Sequence, residues 1–236
     1  HERHAQIERD LRGALERDEF VLHFQPLLAL AENRVTGVET LLRWQHPREG
    51  LVMPGDFIGV LESSGLIHAV GRWVLHTACG QMRQWLDRGV PLRRIAVNVS
   101  ALQFGRAADF VEVVRSALDA SGLPARHLQL ELTESMLMAD HAAALATLSE
   151  LRALGVELAI DDFGTGYSSL AYLQHFPVQA LKIDRSFVAG MLTNDSNRNI
   201  VKAIVQLAHS LKLSVTAEGV ESMSQREALR ALGADH

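Results

Sequence analysis

The sequence predicts an α/β fold, with a (β/α)-barrel favoured over an open sheet, on three observations. Strand-like and helix-like segments alternate along all 236 residues, the order that builds parallel sheets. No low-complexity linker divides them, so a single domain is the simplest organisation. The strand-like runs are rich in Val, Ile and Leu, as strands buried on both faces are, yet each carries a polar intruder.

Residues 1–18 are strongly charged, with Ile7, Leu11 and Leu15 at helical spacing, and predict a solvated amphipathic entry helix. The opening His in place of Met suggests a piece cut from a longer protein. Residues 20–30 and 37–44 read as the first two strands, and 54–62 and 67–86 as helices. Residues 94–100 form a strand, 109–120 a helix and 127–133 a strand. Residues 140–154 are an Ala- and Leu-rich helix ended by Gly155. The apolar run Leu158-Ala159-Ile160 then leads into the adjacent acids Asp161 and Asp162. A short helix over 168–175 follows, then a strand at 180–184, a helix at 197–212, a strand at 213–218 and a last helix at 224–232.

Composition narrows the function classes. With 47% hydrophobic and 22% charged residues and a mean hydropathy of +0.05, the chain is globular and long enough to bury a large core. No apolar run approaches the roughly 18 residues that cross a bilayer. No signal-peptide pattern opens the chain. Cys79 is the single cysteine, so internal disulfides are excluded, and its apolar helical setting marks a buried, inert thiol. These features predict a cytoplasmic protein without membrane contact by this domain. A net charge of −5 argues against DNA binding by bulk basic charge. An anionic substrate would need bound cations to reverse the local field.

The unusual chemistry is concentrated in ELAIDDFGTGYSSL, residues 157–170. Side chains alternate along a strand, so Asp161 and Asp162 cannot both enter one core. The loop after them, with Gly164, Thr165 and Gly166, is flexible and polar, and its free N–H groups can meet an anion. Asp-Asp before Gly is equally ordinary turn chemistry, and the other strand ends decide between the two. They carry Glu39, Asn98, Glu131, Lys182 and Glu218. Unpaired carboxylates inside a barrel would be costly or become neutral. The loops after barrel strands form the active face, so these side chains should converge there. An oxygen-rich, thiolate-free set suits Mg²⁺ or Mn²⁺ better than structural zinc. Adjacent Asp161 and Asp162 could serve two metals about 3.5–4 Å apart, the arrangement of in-line phosphoryl displacement. Residue chemistry alone therefore points to a divalent-metal barrel enzyme acting on a charged, phosphorylated substrate.

The strings GVETLLRW, NVS, ELTES, DDFGTGYSSL, LKID and AEGVE, in this order, resemble the EAL-domain family of cyclic di-GMP phosphodiesterases. The resemblance covers residues 16–236 and leaves 1–15 as a charged entry helix or linker. It implies a modified (β/α)8 TIM-like barrel with one early antiparallel strand, whose final strand and helix would lie beyond Gly233-Ala234-Asp235-His236. It implies hydrolysis of cyclic di-GMP to linear 5′-pGpG with two Mg²⁺ or Mn²⁺ ions, and inhibition by Ca²⁺. Metal ligation falls to Glu39, Asn98, Glu131, Asp161, Asp162 and Glu218. Lys182 would hold the attacking water or the phosphate charge, and Glu218 would be either general base or ligand. Gln25, Leu41, Arg43 and Asp184 would contact substrate, Arg43 at phosphate, while Glu134 and Glu221 would steady the loop after the Asp-Asp strand. The resemblance also implies a homodimer and an upstream sensory or diguanylate-cyclase-like domain, in a larger protein that can be membrane-anchored with this domain in the cytosol.

The signature triplet here is Glu39-Thr40-Leu41, with Thr where the family name has Ala; the acid is retained and only bulk changes. Two other functions compete. One is a catalytically silent cyclic di-GMP receptor, which an altered signature acid or loop would mark. The other is a barrel enzyme abstracting a proton beside a carboxylate with Lys182 as base, against which the adjacent acids argue.

Overall fold

The computed structural model of the chain describes residues 2–166 and 173–236. Strands β1 (Phe20–Ala29) and β2 (Arg34–His46) form an antiparallel hairpin, with Gln25 opposite Glu39. The short β3 (Gly50–Val52) folds back on the end of β2. From β2 onward each neighbour is parallel: β4 (Arg94–Asn98), β5 (Leu128–Thr133), β6 (Glu157–Phe163), β7 (Ala180–Ile183) and β8 (Ser214–Ala217). The result is a curled, mostly parallel sheet in the order β1-β2-β4-β5-β6-β7-β8. At its open side the Leu30 N–H donates to Asp235 O at 2.9 Å, and the Ala217 N–H to His236 O at 2.9 Å. Residues 235–236 therefore lie between the two edge strands.

The helices are α1 (Glu2–Leu11), α2 (Pro54–Ser63), α3 (Ile67–Asp87), α4 (Ala101–Phe104), α5 (Ala107–Ser121), α6 (Glu134–Ala139), α7 (His141–Leu154), α8 (Arg185–Gly190), α9 (Asp195–Ser210) and α10 (Met223–Leu232). The longer ones follow the apolar periodicity of the sequence. In α3, Val70, Val74, Leu75, Ala78 and Met82 are buried at helical spacing. Cys79 lies fully buried among them, and burial pushes its thiol up to about 12, so it is inert as expected. Trp73 and Trp85 pack on Phe20 and Phe24 at ring distances of 6.3 and 4.9 Å.

The structure departs from the sequence expectations in short elements. Helices α4, α6 and α8 each begin within three residues of a strand end, where periodicity has too little length to register. Local side chains start two of them: Ser100 caps α4 and Asp184 caps α8. The strand expected at 94–100 consequently stops at Asn98. The entry helix is docked and not simply solvated: Ile7, Leu11 and Ala14 are buried, and Asp10 meets His46 at 3.3 Å and Arg48 at 2.9 Å. The short helix expected at 168–175 falls largely on residues 167–172, outside the described residues.

Candidate functional site

Parallel pairing brings the middle of β2 and the ends of β4, β5, β6, β7 and β8 to one rim. Asn98 pairs with Glu131, and Thr133 with Asp161. Lys182 is the hub. Its Nζ lies 2.6 Å from Glu131 Oε2, 2.6 Å from Glu218 Oε1, 3.3 Å from Glu39 Oε2 and 3.4 Å from Asp161 Oδ2. The residue is 1% exposed, so a single buried ammonium meets acids from β2, β5, β6 and the position after β8. Asn98 Nδ2 donates to Glu39 Oε1 at 2.9 Å, leaving its amide oxygen free to turn to a cation.

One positive charge cannot balance four negative ones, and the site responds by holding protons. Burial pushes the Glu131 carboxyl up to about 8, with Glu39 and Asp161 adding to it against the pull of Lys182. Burial likewise pushes Glu218 up to about 7. For Lys182 burial opposes the charge, but Glu131, Asp161, Glu39 and Glu218 outweigh it and hold the ammonium above its ordinary range.

Alternation along a flat strand would send Asp161 and Asp162 to opposite faces. The register of β6 against β7 slips between Ile160 and Phe163, and Asp162 adopts a left-handed φ of 53°. The Asp162 N–H turns back to donate to Asp161 Oδ1 at 2.9 Å. Ligand oxygens of Asp161, Asp162 and Glu218 consequently lie within 4.8 Å of one another. Burial and the Asp161 charge raise the Asp162 carboxyl, while hydrogen bonds from Ser186 lower that of Asp184, which shares a hydrogen bond with Asp162. Asp184 thus sits beside the acidic rim.

The first residues after β6 meet Glu134. The Gly164 N–H donates to Glu134 Oε2 at 3.2 Å, and a Cβ on Gly166 would stand 2.9 Å from Glu134 Oε1 and push that carboxylate aside. Glu221 is exposed after β8, and among the described residues its carboxylate takes no hydrogen bond; its N–H donates to Gln225 Oε1 at 2.8 Å. A groove of about 640 Å³ opens beside the acids, lined by Gln25, Glu39, Leu41, Glu218, Arg185 and Arg226 among others. Arg43, half-buried further along β2, donates to Leu42 O at 2.9 Å. Nothing in the sequence marks the two groove arginines, since neither sits on a strand where a charge is conspicuous. A second, mainly apolar cavity of about 390 Å³ lies across Leu41, reaching Asn98.

The donor set fits hard divalent cations: carboxylates and an amide oxygen, with neither thiolate nor imidazole among them. The shifted acids make that fit measurable. Glu131 and Glu218 have folded pKa values raised from 4.5, so their contribution to stability is complete below about 4.5 and is lost as pH rises through about 7 to 8. His236, lowered from 6.5 to about 4 by burial and by Arg94, works oppositely, but its contribution is already complete above 6.5. The melting temperature of metal-free protein should therefore fall between pH 6.5 and 8, and Mn²⁺ should remove the fall. A flat profile in EDTA would contradict the charge imbalance.

Comparison with known proteins gives one family and one fold. The EAL domain family profile matches residues 8–236. MucR of Pseudomonas aeruginosa, a bifunctional diguanylate cyclase/cyclic di-GMP phosphodiesterase, is 50% identical over 228 residues, covering 97% of this chain and 33% of its own length. NbdA of the same organism, a cyclic di-GMP phosphodiesterase, is 47% identical over 95% of this chain and 29% of its own. The chain thus spans about a third of the length of these curated relatives. A solved MucR phosphodiesterase in complex with c-di-GMP superposes with a TM-score of 0.94 at 50% identity, over 98% of this chain and 93% of that one. The FimX EAL domain from Pseudomonas aeruginosa bound to c-di-GMP superposes with a TM-score of 0.87 at 27% identity, over 97% and 91%.

Proposed function

The chain belongs to the EAL-domain family, and from that premise we propose that it hydrolyses cyclic di-GMP to linear pGpG at the acidic rim. The observation that carries the proposal is the meeting of Glu39, Glu131, Asp161 and Glu218 around Lys182, with Asp162 alongside. Glu39, Asn98, Glu131, Asp161, Asp162 and Glu218 would hold two Mg²⁺ or Mn²⁺ ions, which when bound lower the pKa of a water and polarise phosphoryl oxygens. Lys182 keeps its charge in the site and offers it to the phosphate. Glu218, whose carboxylate stands beside those of Asp161 and Asp162, would serve either as a ligand of the second ion or as the group that accepts the proton of the attacking water. The groove and the apolar cavity flank Leu41, which suits a ligand with two bases joined by a charged centre. Gln25 and Leu41 line the path of such a ligand, Arg185 supplies positive charge to it, and Arg43 is the further phosphate contact. Glu134 steadies the start of the loop after β6, whereas nothing among the described residues ties Glu221 to that loop. A homodimer, a cytoplasmic setting, and a preceding sensory or cyclase-like domain entered through residues 1–15 accompany this reading. Among the described residues no helix is long and apolar enough to cross a membrane.

Incubating the protein with cyclic di-GMP and Mg²⁺ should yield one pGpG per substrate, EDTA should stop the reaction, and Ca²⁺ should bind yet support no turnover because its larger shell relaxes the geometry. Binding of cyclic di-GMP without pGpG would make the domain a receptor. Turnover undiminished by EDTA would remove the metal assignment.

A further inference from the structure

We infer that Glu62 is a positioning residue of the metal centre, acting through Ser100 on Asn98; the inference rests on the function proposed above. Asn98 is the last residue of β4, and α4 begins at Ala101, so the chain must turn at once. Helix α4 has four residues, too few to hold itself in place. Side chains hold it instead. Ser100 Oγ accepts the Leu102 N–H at 3.2 Å, and Gln103 Oε1 accepts the Ser100 N–H at 3.2 Å.

Both halves of that clamp are anchored on other elements. The Ser100 hydroxyl donates to Glu62 Oε1 of α2 at 2.7 Å, a short, charge-assisted bond that fixes the turn from one side. Gln103, 7% exposed, lies flat against Gly71 of α3, where a Cβ would stand 1.9 Å from Gln103 Nε2. The turn that carries Asn98 is thus gripped by α2 through Glu62 and by α3 through Gly71. Loosening either grip lets the Asn98 amide leave the Glu39 carboxylate and turn from the rim, whereas the rim acids, on other strands, stay in place.

The test counts bound Mn²⁺ by electron paramagnetic resonance, which needs no turnover. Wild type is compared with E62A, E62Q, G71A and a control, T147A, which removes the hydroxyl bond from Thr147 to Ala143 O within α7. Outer partners of metal ligands typically change affinity ten- to a hundredfold, so E62A and G71A should weaken Mn²⁺ binding about tenfold. E62Q keeps an acceptor for Ser100 and should lose clearly less affinity than E62A, and T147A, on α7, should leave Mn²⁺ affinity unchanged. G71A reaches the turn from α3, so the inference remains open to refutation even if E62A does not fold. Wild-type affinity in G71A and E62A, or a loss in E62Q equal to that in E62A, overturns it. A wild type that binds no Mn²⁺ overturns the proposed function itself.

Discussion

Lys182→Met should lose hydrolysis by about two to three orders of magnitude, and should melt lower than wild type in EDTA at pH 8. Four carboxylates lie within 2.6 to 3.4 Å of the Lys182 ammonium. Removing one partner of a buried ion pair costs about 3–5 kcal/mol because the other charge is left uncompensated. For a domain of this size that corresponds to a melting temperature lower by roughly 6–20 °C. Two conditions should narrow the gap. Lowering the pH toward 5 lets Glu131 and Glu218 take protons, and adding Mn²⁺ replaces the missing cation. Turnover should return under neither, since the charge offered to the phosphate is gone. A variant as stable as wild type in EDTA would show that Lys182 does not hold the acids together.

Asp161→Asn should fold normally and lose about three orders of magnitude in turnover, with fewer Mn²⁺ ions bound per chain. The substitution is chosen for what it preserves. Asn has the volume of Asp, and its amide oxygen can still accept the Asp162 N–H that closes the turn at 2.9 Å. What it removes is the anionic oxygen within 4.8 Å of those of Asp162 and Glu218. Equal Mn²⁺ stoichiometry in wild type and variant would take Asp161 out of the metal centre. Unimpaired pGpG production would also refute the mechanism.

The two predictions differ in how far each was visible before folding. The alternating elements, the apolar strands and the misplaced acids at their ends were all legible along the chain, because burial imposes its pattern on neighbouring residues. Short elements escaped: β3, α4, α6 and α8 run from three to six residues, less than two turns of any periodic signal. The antiparallel first pairing entered through family resemblance, since a run such as FVLHFQPLLA carries no mark of strand direction. Asp161 stood out by its type and neighbours. The role of Lys182 as hub did not, because it reaches Glu39 across 143 positions of sequence. Glu62 was invisible for the same reason: its partner Ser100 is 38 residues away on another element.

By itself, the sequence determined the fold class, the absence of any thiolate ligand and the residue types from which a hard-metal site can be built. These follow from local composition and spacing, which the order of residues records directly. Only the tertiary structure decided that Asp161 and Asp162 share one rim, through a register slip and a left-handed Asp162. It alone decided that one lysine stands among four acids, and that Glu131 and Glu218 hold their protons to about pH 8 and 7. The physical reason is that strand register, burial and local charge are sums over distant parts of the chain, and they take values only when those parts meet.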